Sequence, residues 1–166
     1  NWAIQGTLQY GDSRSILTSQ IEHHAILNAC ATVERLGYPV SHLWVDKEGI
    51  VTPSTLNKVI TDNTKLVSIM LVNNEIGTIE PIKELAEIAH EHRALFHTDA
   101  VQAIGHIPVN VDALGVDMLS ASAHKFNGPK GIGFLYVKKG TNIYSFTDGG
   151  AQELGMRGGT ENVAAI

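Results

Sequence analysis

The stretch SASAHKFNGPKGIGFLY, residues 120–136, joins an apolar run to a glycine-rich turn through two adjacent basic residues. Small residues run up to Ala123, His124 and Lys125 follow, and a glycine- and proline-rich segment occupies 127–131. Burying a charged lysine costs free energy, so Lys125 is expected either to point into water or to be needed for its amine. The rest of the sequence has to decide between these two interpretations.

Composition and charge are those of one globular domain. The chain has 166 residues, of which 43% are hydrophobic and 17% charged, and this length is enough for a single substantial core. The net charge of −5 and the lack of any run of Lys and Arg argue against nucleic-acid and membrane partners. The single cysteine, Cys30, excludes an internal disulfide and favours a cytoplasmic location.

Both ends of the sequence resemble cuts through a longer polypeptide. The chain begins at Asn1 without an initiating methionine and stops at 164–166 without a polar tail. No signal peptide and no apolar run long enough to span a bilayer is present in the sequence. We therefore interpret the chain as a piece excised from a longer protein.

Short runs rich in β-branched residues alternate with helical patterns along the chain. Strands are predicted at 15–18, 40–45, 65–72, 94–97, 116–120 and 132–137. Helices are predicted around 26–33, from the Thr52-Pro53 cap onward and from Pro81 onward. This alternation predicts an α/β fold, a mostly parallel sheet with helices on both faces. From Gly140 on, the periodicity is lost, which indicates loop.

Polar residues follow four of the predicted strands. They lie at 22–24, at 73–75, at 97–99 with Gln102, and at 122–125. Ligands of parallel sheets bind beyond the carboxyl ends of the strands, where such residues can converge. These four segments therefore contain the candidate site residues.

Several other kinds of site lack support in the sequence. The histidine pairs at 23–24 and 90–92 diverge, and His97-x-Asp99 is joined by no cysteine pair or HExxH motif, so no metal site is predicted. The segment 128–131 lacks the upstream glycine and the Ser or Thr of a Walker loop, and the G-x-S-x-G motif of many hydrolases is absent.

The collected residues fit an aldehyde cofactor. Pyridoxal 5′-phosphate needs a lysine to form an imine and an acid that keeps its pyridine nitrogen protonated. Asp99 and Lys125 can meet these needs on successive strand ends. His23 can cover the ring, and Gln102 and Asn74 can donate to its phenolic oxygen.

A family resemblance supports this interpretation. The segments EHHAIL, VSIMLVNNEIGTIEPI, HTDAVQAIGHIPVNV, DMLSASAHKFNGPKGIGFLYV and GMRGGTENV closely resemble the cysteine desulfurases of the NifS/IscS type. These are pyridoxal-phosphate enzymes of the class V aminotransferase group, and the resemblance runs over residues 1–166. It implies the large cofactor-binding domain of a fold type I, PLP-dependent transferase-like fold. On this basis residues 1–166 are a partial domain, with the N-terminal segment and the C-terminal small domain absent.

The resemblance implies roles for the residues after the fourth and fifth strands. Lys125 would hold the cofactor covalently, with His124 and Ser122 in contact with it and Ser122 at its phosphate. Asp99 would pair with the pyridinium nitrogen, and Gln102 with the phenolic oxygen.

Three further roles follow from the resemblance, each with an alternative. His23 would stack on the ring and act as a catalytic residue that relays protons, or it is a core histidine. Asn74 would hold the ring oxygen or the substrate carboxylate, or it forms a turn. Thr160 would reach the phosphate of the partner subunit's cofactor, or it caps a helix that begins near Glu161.

The implied activity is removal of sulfur from L-cysteine to give alanine and an enzyme persulfide, for iron–sulfur cluster assembly or thio-cofactor synthesis. The implied enzyme is a homodimer that works with sulfur-acceptor or scaffold proteins. The resemblance places the family's nucleophilic cysteine in a later loop that this sequence lacks, and Cys30 matches no such position. Cys30 is expected in a helix core, so the piece alone is expected to make no persulfide. A selenocysteine lyase, another class V lyase or aminotransferase, and a non-catalytic dimerisation or scaffold module remain alternatives.

Overall fold

The computed structural model describes residues 1–8, 11 and 13–166. Its strands are β1 (Ser15–Ser19), β2 (Val40–Leu43), β3 (Thr64–Ser68), β4 (Leu95–Asp99), β5 (Met118–Ser122) and β6 (Gly133–Val137). Its α-helices are α1 (Trp2–Gln5), α2 (His24–Arg35), α3 (Pro53–Asn57), α4 (Ile82–Glu91) and α5 (Val111–Leu114). Two 3₁₀ turns, Ala123–Phe126 and Glu153–Gly155, complete the regular structure of this part of the chain.

The six strands form one sheet in the order β2-β1-β3-β4-β5-β6. All pairs from β2 to β5 are parallel, and only β6 runs antiparallel to β5, with Ser122 opposite Gly133. Parallel neighbours need long crossover connections, whereas the short segment between β5 and β6 permits only a direct return. The predicted mostly parallel α/β sheet is confirmed.

Helices cover both faces of the sheet, also as predicted. On one face, Ile16, Leu66 and Met118 pack with residues of α1 and α2. Their neighbours along the strands point the other way, and Leu17, Val67, Phe96 and Leu119 pack with α3 and α4. Alternate residues of a strand face opposite sides, which is why strands buried on both faces are apolar throughout.

The central apolar run is longer than the strand it contains. β3 ends at Ser68, although the pattern predicts a strand over 65–72. Residues 69–71 stay buried, and the amides of Ile69 and Leu71 donate to the carbonyls of His97 and Asp99 at 3.1 and 2.8 Å. The prediction of the strand end was therefore wrong by a few residues, because hydrophobicity reports burial and not the length of regular pairing.

Asp117 ties β4, β5 and α4 together at the amino end of the sheet. Its buried Oδ2 accepts from the amide of Phe96 at 2.8 Å and is hydrogen-bonded to His90 Nε2 at 2.9 Å.

Asp117→Ala should lower the free energy of unfolding by about 1–3 kcal/mol, because the buried Phe96 amide loses its acceptor. Urea unfolding measures the change. The control is Asp62→Ala, which removes an exposed carboxylate paired with His92 and Arg93 and should cost clearly less. Equal losses for the two variants would contradict this role of Asp117.

Candidate active site

A cavity of about 430 Å³ opens at the carboxyl edge of the parallel strands. Seven of the eight residues predicted for the site line it: His23, Asn74, Asp99, Gln102, Ser122, His124 and Lys125. They come from four segments that are far apart in the sequence. The sheet brings these segments together because parallel strands end at the same edge.

Lys125 lies on the 3₁₀ turn that follows β5. Asn127 ends this turn with a left-handed φ of 66°, and the amide of Gly128 donates back to the carbonyl of Ala123 at 2.8 Å. A Cβ at Gly128 would lie 2.7 Å from the Cβ of Ala123, so only glycine fits there without a shift. The small residues of the quoted stretch therefore let the turn fold back on itself beneath Lys125.

The side chain of Lys125 is exposed to the cavity. Within the residues that the structure describes, its amine has no hydrogen bond and no ion pair, whereas Ser122 Oγ and His124 Nδ1 beside it are 2.8 Å apart and hydrogen-bonded. An amine with no protein partner, at the edge of a cavity, is available for a ligand.

Asp99 ends β4 and is 7% exposed. Its Oδ1 accepts from the amide of Val101 at 2.9 Å. Burial raises the pKa of Asp99, and the Val101 hydrogen bond and the nearby His23 oppose that shift. A carboxyl in this position gains stability as an anion when a ligand places a positive charge beside it.

His23 caps the N-terminus of α2. Its Nδ1 accepts from the amide of Ala25 at 3.1 Å, so the proton of the neutral ring is on Nε2. The side chain is exposed and lines the cavity, which rules out the core-histidine interpretation. The cap holds the ring with an N–H donor available to the site.

The sequence left two roles open for Asn74, ligand binding and turn formation, and the structure divides them between Asn74 and its neighbour Asn73. Asn73 forms the turn, because its Oδ1 accepts from the amides of Glu75 and Ile76 at 2.8 and 3.0 Å. Asn74 lines the cavity, and its Nδ2 donates to Glu75 Oε1 at 2.9 Å. The turn-former interpretation therefore belongs to Asn73, one position earlier.

Gln102 lies half-buried in the turn after β4. The side-chain amide of Gln102 has no partner among the described residues. Gln102 lines the same cavity as Lys125. It is available as a donor to a ligand oxygen.

Apolar side chains and Glu75 complete the wall. Glu75 lies in one of the candidate segments of the sequence, where it was given no role, and the apolar residues lie outside those segments. Met70 and Val72 come from the chain after β3, and Val101 comes from the turn after β4. Met70 and Val72 are two positions apart, and in extended chain such residues face the same side, which was the signal in the sequence that could have identified them. They make this part of the wall apolar.

Thr160 lies apart from this cavity. It is exposed, and residues 163–165 form a turn in which the amide of Ile166 donates to the carbonyl of Asn162 at 3.2 Å. The helix-cap interpretation remains a prediction. Contact of Thr160 with the cofactor of a partner subunit remains a prediction.

His97, one of the histidines considered for a metal, is fully buried between two strands. Its Nδ1 and Nε2 are each 2.8 Å from a hydroxyl, those of Ser68 and Ser120, and burial lowers the pKa of His97 to about 3. Both ring nitrogens are occupied. In the described ranges, no three His, Cys, Asp or Glu side chains are placed to hold a metal ion.

A second cavity of about 420 Å³ lies at the opposite edge of the sheet. Its basic lining residues are Arg14, Lys65, Arg93, Lys138 and Lys139. The sequence shows no run of Lys and Arg, so this basic cluster exists only in the folded chain. In the residues described, no helix is long and apolar enough to cross a membrane.

The whole chain matches the family model for class-V aminotransferases, residues 1–166, and it belongs to this family. The cysteine desulfurase IscS of Dictyoglomus turgidum is 59% identical over 168 residues, which cover 100% of this chain and 43% of the relative. The cysteine desulfurase IscS of Methanosarcina thermophila is 54% identical, with 100% and 42% covered. The chain thus spans less than half the length of these curated relatives.

Solved structures show the same fold. A NifS-like protein superimposes with a TM-score of 0.94 at 41% identity and covers 99% of this chain, with 46% of its own length matched. The protein SspA, solved in complex with cysteine, gives a TM-score of 0.95 at 40% identity over 99% of this chain and 49% of its own. The family resemblance noted in the sequence is confirmed.

Cys30 lies in the core on α2, as predicted. It is fully buried, and burial raises the pKa of its thiol to about 12. At neutral pH it is a thiol and not the thiolate that attacks sulfur or metals.

A thiol reagent applied to the native protein near pH 8 should therefore label Cys30 about 10²-fold more slowly than the unfolded chain, since thiolate and access are both lacking. The Cys30 peptide is quantified by mass spectrometry, with Cys30→Ala as the background control. Similar native and unfolded rates would contradict the buried position.

Proposed function

We propose that this chain forms the cofactor-binding part of a pyridoxal-phosphate-dependent cysteine desulfurase. The observation that carries the proposal is the shared cavity, in which the amine of Lys125, without a partner among the described residues, and the buried carboxyl of Asp99 face the same space. A lysine and an acid are the two groups that this cofactor requires.

The cavity fits the cofactor in size and chemistry. Its volume of about 430 Å³ lies within the range of about 300–1,000 Å³ usual for small-ligand sites. A pyridinium nitrogen would supply the positive charge that favours the ionised form of Asp99. Ser122 and His124 would bind the phosphate beside Lys125, and Gln102 would donate to the ring oxygen.

Pyridoxal phosphate, when bound, supplies an electron sink that weakens bonds at the substrate's α- and β-carbons. The residues of this chain hold and orient it. Lys125 would hold it covalently, and its amine would also be the base of the site. Asp99 would keep the proton on the ring nitrogen, and His23 would cover the ring with Nε2–H free to move a proton.

L-cysteine is the proposed substrate. Two relatives named as cysteine desulfurases and a structural neighbour solved with cysteine support this choice. Asn74 would hold the substrate carboxylate or the ring oxygen. The sulfur would pass to a thiolate outside residues 1–166, because Cys30 is buried and protonated.

The remaining parts of the proposal concern the whole protein. A homodimer in the cytoplasm would place Thr160 at the partner subunit's cofactor and deliver sulfur to acceptor or scaffold proteins for iron–sulfur clusters or thio-cofactors. Neither the fold nor the comparisons favour a selenocysteine lyase, another class V lyase or aminotransferase, or a non-catalytic module.

Lys125→Ala in the full-length polypeptide should abolish covalent capture of pyridoxal phosphate, since no other amine lines the cavity among the described residues. The protein is incubated with cofactor, reduced with borohydride and mapped by mass spectrometry. Lys130→Ala removes an exposed lysine from the same loop and should leave capture at Lys125 unchanged. Capture spread over surface lysines in the unaltered protein would refute the proposed function.

Asp99→Asn should reduce alanine formation from L-cysteine by about 10²-fold or more, because a neutral amide does not hold the ring nitrogen protonated. Covalent capture at Lys125 should persist in this variant. Asp112→Asn, on the exposed surface of α5, is the control. A fully active Asp99→Asn variant would exclude Asp99 from the site.

A further inference from the structure

Glu22 is a buried acid directly behind the cavity. It follows the turn after β1, precedes His23 and is 5% exposed. Its Oε1 accepts from Ser19 Oγ at 2.7 Å and from the amide of Met70 at 2.9 Å. Its Oε2 is buried without a hydrogen-bond partner in the described part of the chain. The proposed chemistry does not use this residue.

The two hydrogen bonds of Glu22 join separate walls of the site. Ser19 is the last residue of β1, and Met70 belongs to the chain that continues from β3 toward Asn74 and lines the cavity. The backbone of Glu22 leads straight into His23 and α2. Glu22 therefore sets the distance between the His23 wall and the Met70 wall.

Burial of the unpaired Oε2 favours the protonated form of Glu22. A carboxylate would leave half its charge on the buried, unpaired Oε2, whereas a neutral acid leaves only an uncharged O–H there, which costs less free energy to bury. Burial raises the pKa of Glu22 to about 8. The carboxyls of Asp99 and Glu80 add to the shift, and the bonds from Ser19 and Met70 oppose it.

Among the described residues, the charged groups that act on the pKa of Glu22 are the carboxyls of Asp99 and Glu80, and no cation is among them. The thiol of Cys30 lies on α2, and the proximity of Glu22 contributes to its raised pKa. Asp99 carries the charge that the proposed cofactor needs. A second carboxylate beside Asp99 would oppose its ionisation.

We propose that Glu22 is a positioning residue that works as a neutral carboxylic acid, holding the His23 and Met70 walls together and leaving Asp99 as the anion of the site. The effect on the cofactor rests on the proposed function. The neutral, doubly accepting state of Glu22 is a property of the folded chain and can be tested without cofactor.

Glutamine imitates this state and alanine does not. Glu22→Gln keeps a carbonyl oxygen for Ser19 and Met70, whereas Glu22→Ala leaves the Met70 amide without an acceptor. Asp117→Ala is the matched control, because it also removes a buried carboxyl that accepts from a backbone amide, at the opposite edge of the sheet.

The first experiment measures the dissociation constant of pyridoxal phosphate for the full-length protein and these three variants near neutral pH. Glu22→Gln should bind within about 3-fold of the unaltered protein, and Glu22→Ala about 10-fold or more weakly, which corresponds to one lost hydrogen bond. Asp117→Ala should bind within about 3-fold despite its lower stability. A Gln variant as defective as the Ala variant would overturn the proposal.

The second experiment uses the cofactor-free protein. Between pH values of about 4.5 and 8, the unfolded chain has lost the Glu22 proton and the folded chain keeps it, so this group makes stability fall as pH rises. Glu22→Gln should make that part of the urea-unfolding profile less steep and remove one infrared carbonyl band of a protonated acid, while the contribution of Glu80, whose pKa burial raises to about 7, should remain. An unchanged profile and band would overturn the proposal.

The two experiments separate the two proposals. If the unaltered protein binds no pyridoxal phosphate, the proposed function fails, and the unfolding profile and infrared band still decide the state of Glu22. If the cofactor binds and Glu22→Gln changes neither cofactor-free measurement, the proposed function stands and the proposal for Glu22 fails.

Discussion

Parallel pairing of the central strands is the constraint on which the site depends. Because β1, β3, β4 and β5 run in the same direction, their carboxyl ends meet at one edge. Residues as far apart in the sequence as His23 and Lys125 then share one cavity. The antiparallel β6 has a different role, since its direct return confines the glycine-rich turn that carries Lys125.

Two buried acids at this edge of the sheet differ in the charge that their surroundings favour. Asp99 and Glu22 are both almost fully buried, yet Asp99 lines the cavity and Glu22 lies behind it. A ligand can bring a positive charge to the first and not to the second. Pairs of carboxyls in unequal surroundings commonly divide the charged and neutral roles in this way. The site therefore has one acid, Asp99, whose ionised form a ligand cation can stabilise, and one, Glu22, that supports the walls.

The sequence predicted much of the fold because burial on both faces of a sheet leaves apolar runs, and caps such as Thr52-Pro53 mark helix starts. It predicted strand ends less well, since residues 69–71 are as apolar as β3 itself. Candidate site residues were found because polar side chains after apolar runs stand out. Met70 and Val72 were missed because an apolar lining residue cannot be told from core by its identity.

The sequence by itself determined the class of fold, the family and the types of group in the cavity, because periodicity and short motifs are local properties. The tertiary structure alone decided that Asn73 turns the chain while Asn74 faces the cavity, and that His97 is enclosed between two serines. It also gathered five basic side chains at the amino edge of the sheet. Such outcomes depend on which distant segments meet, and on how far each group is removed from water.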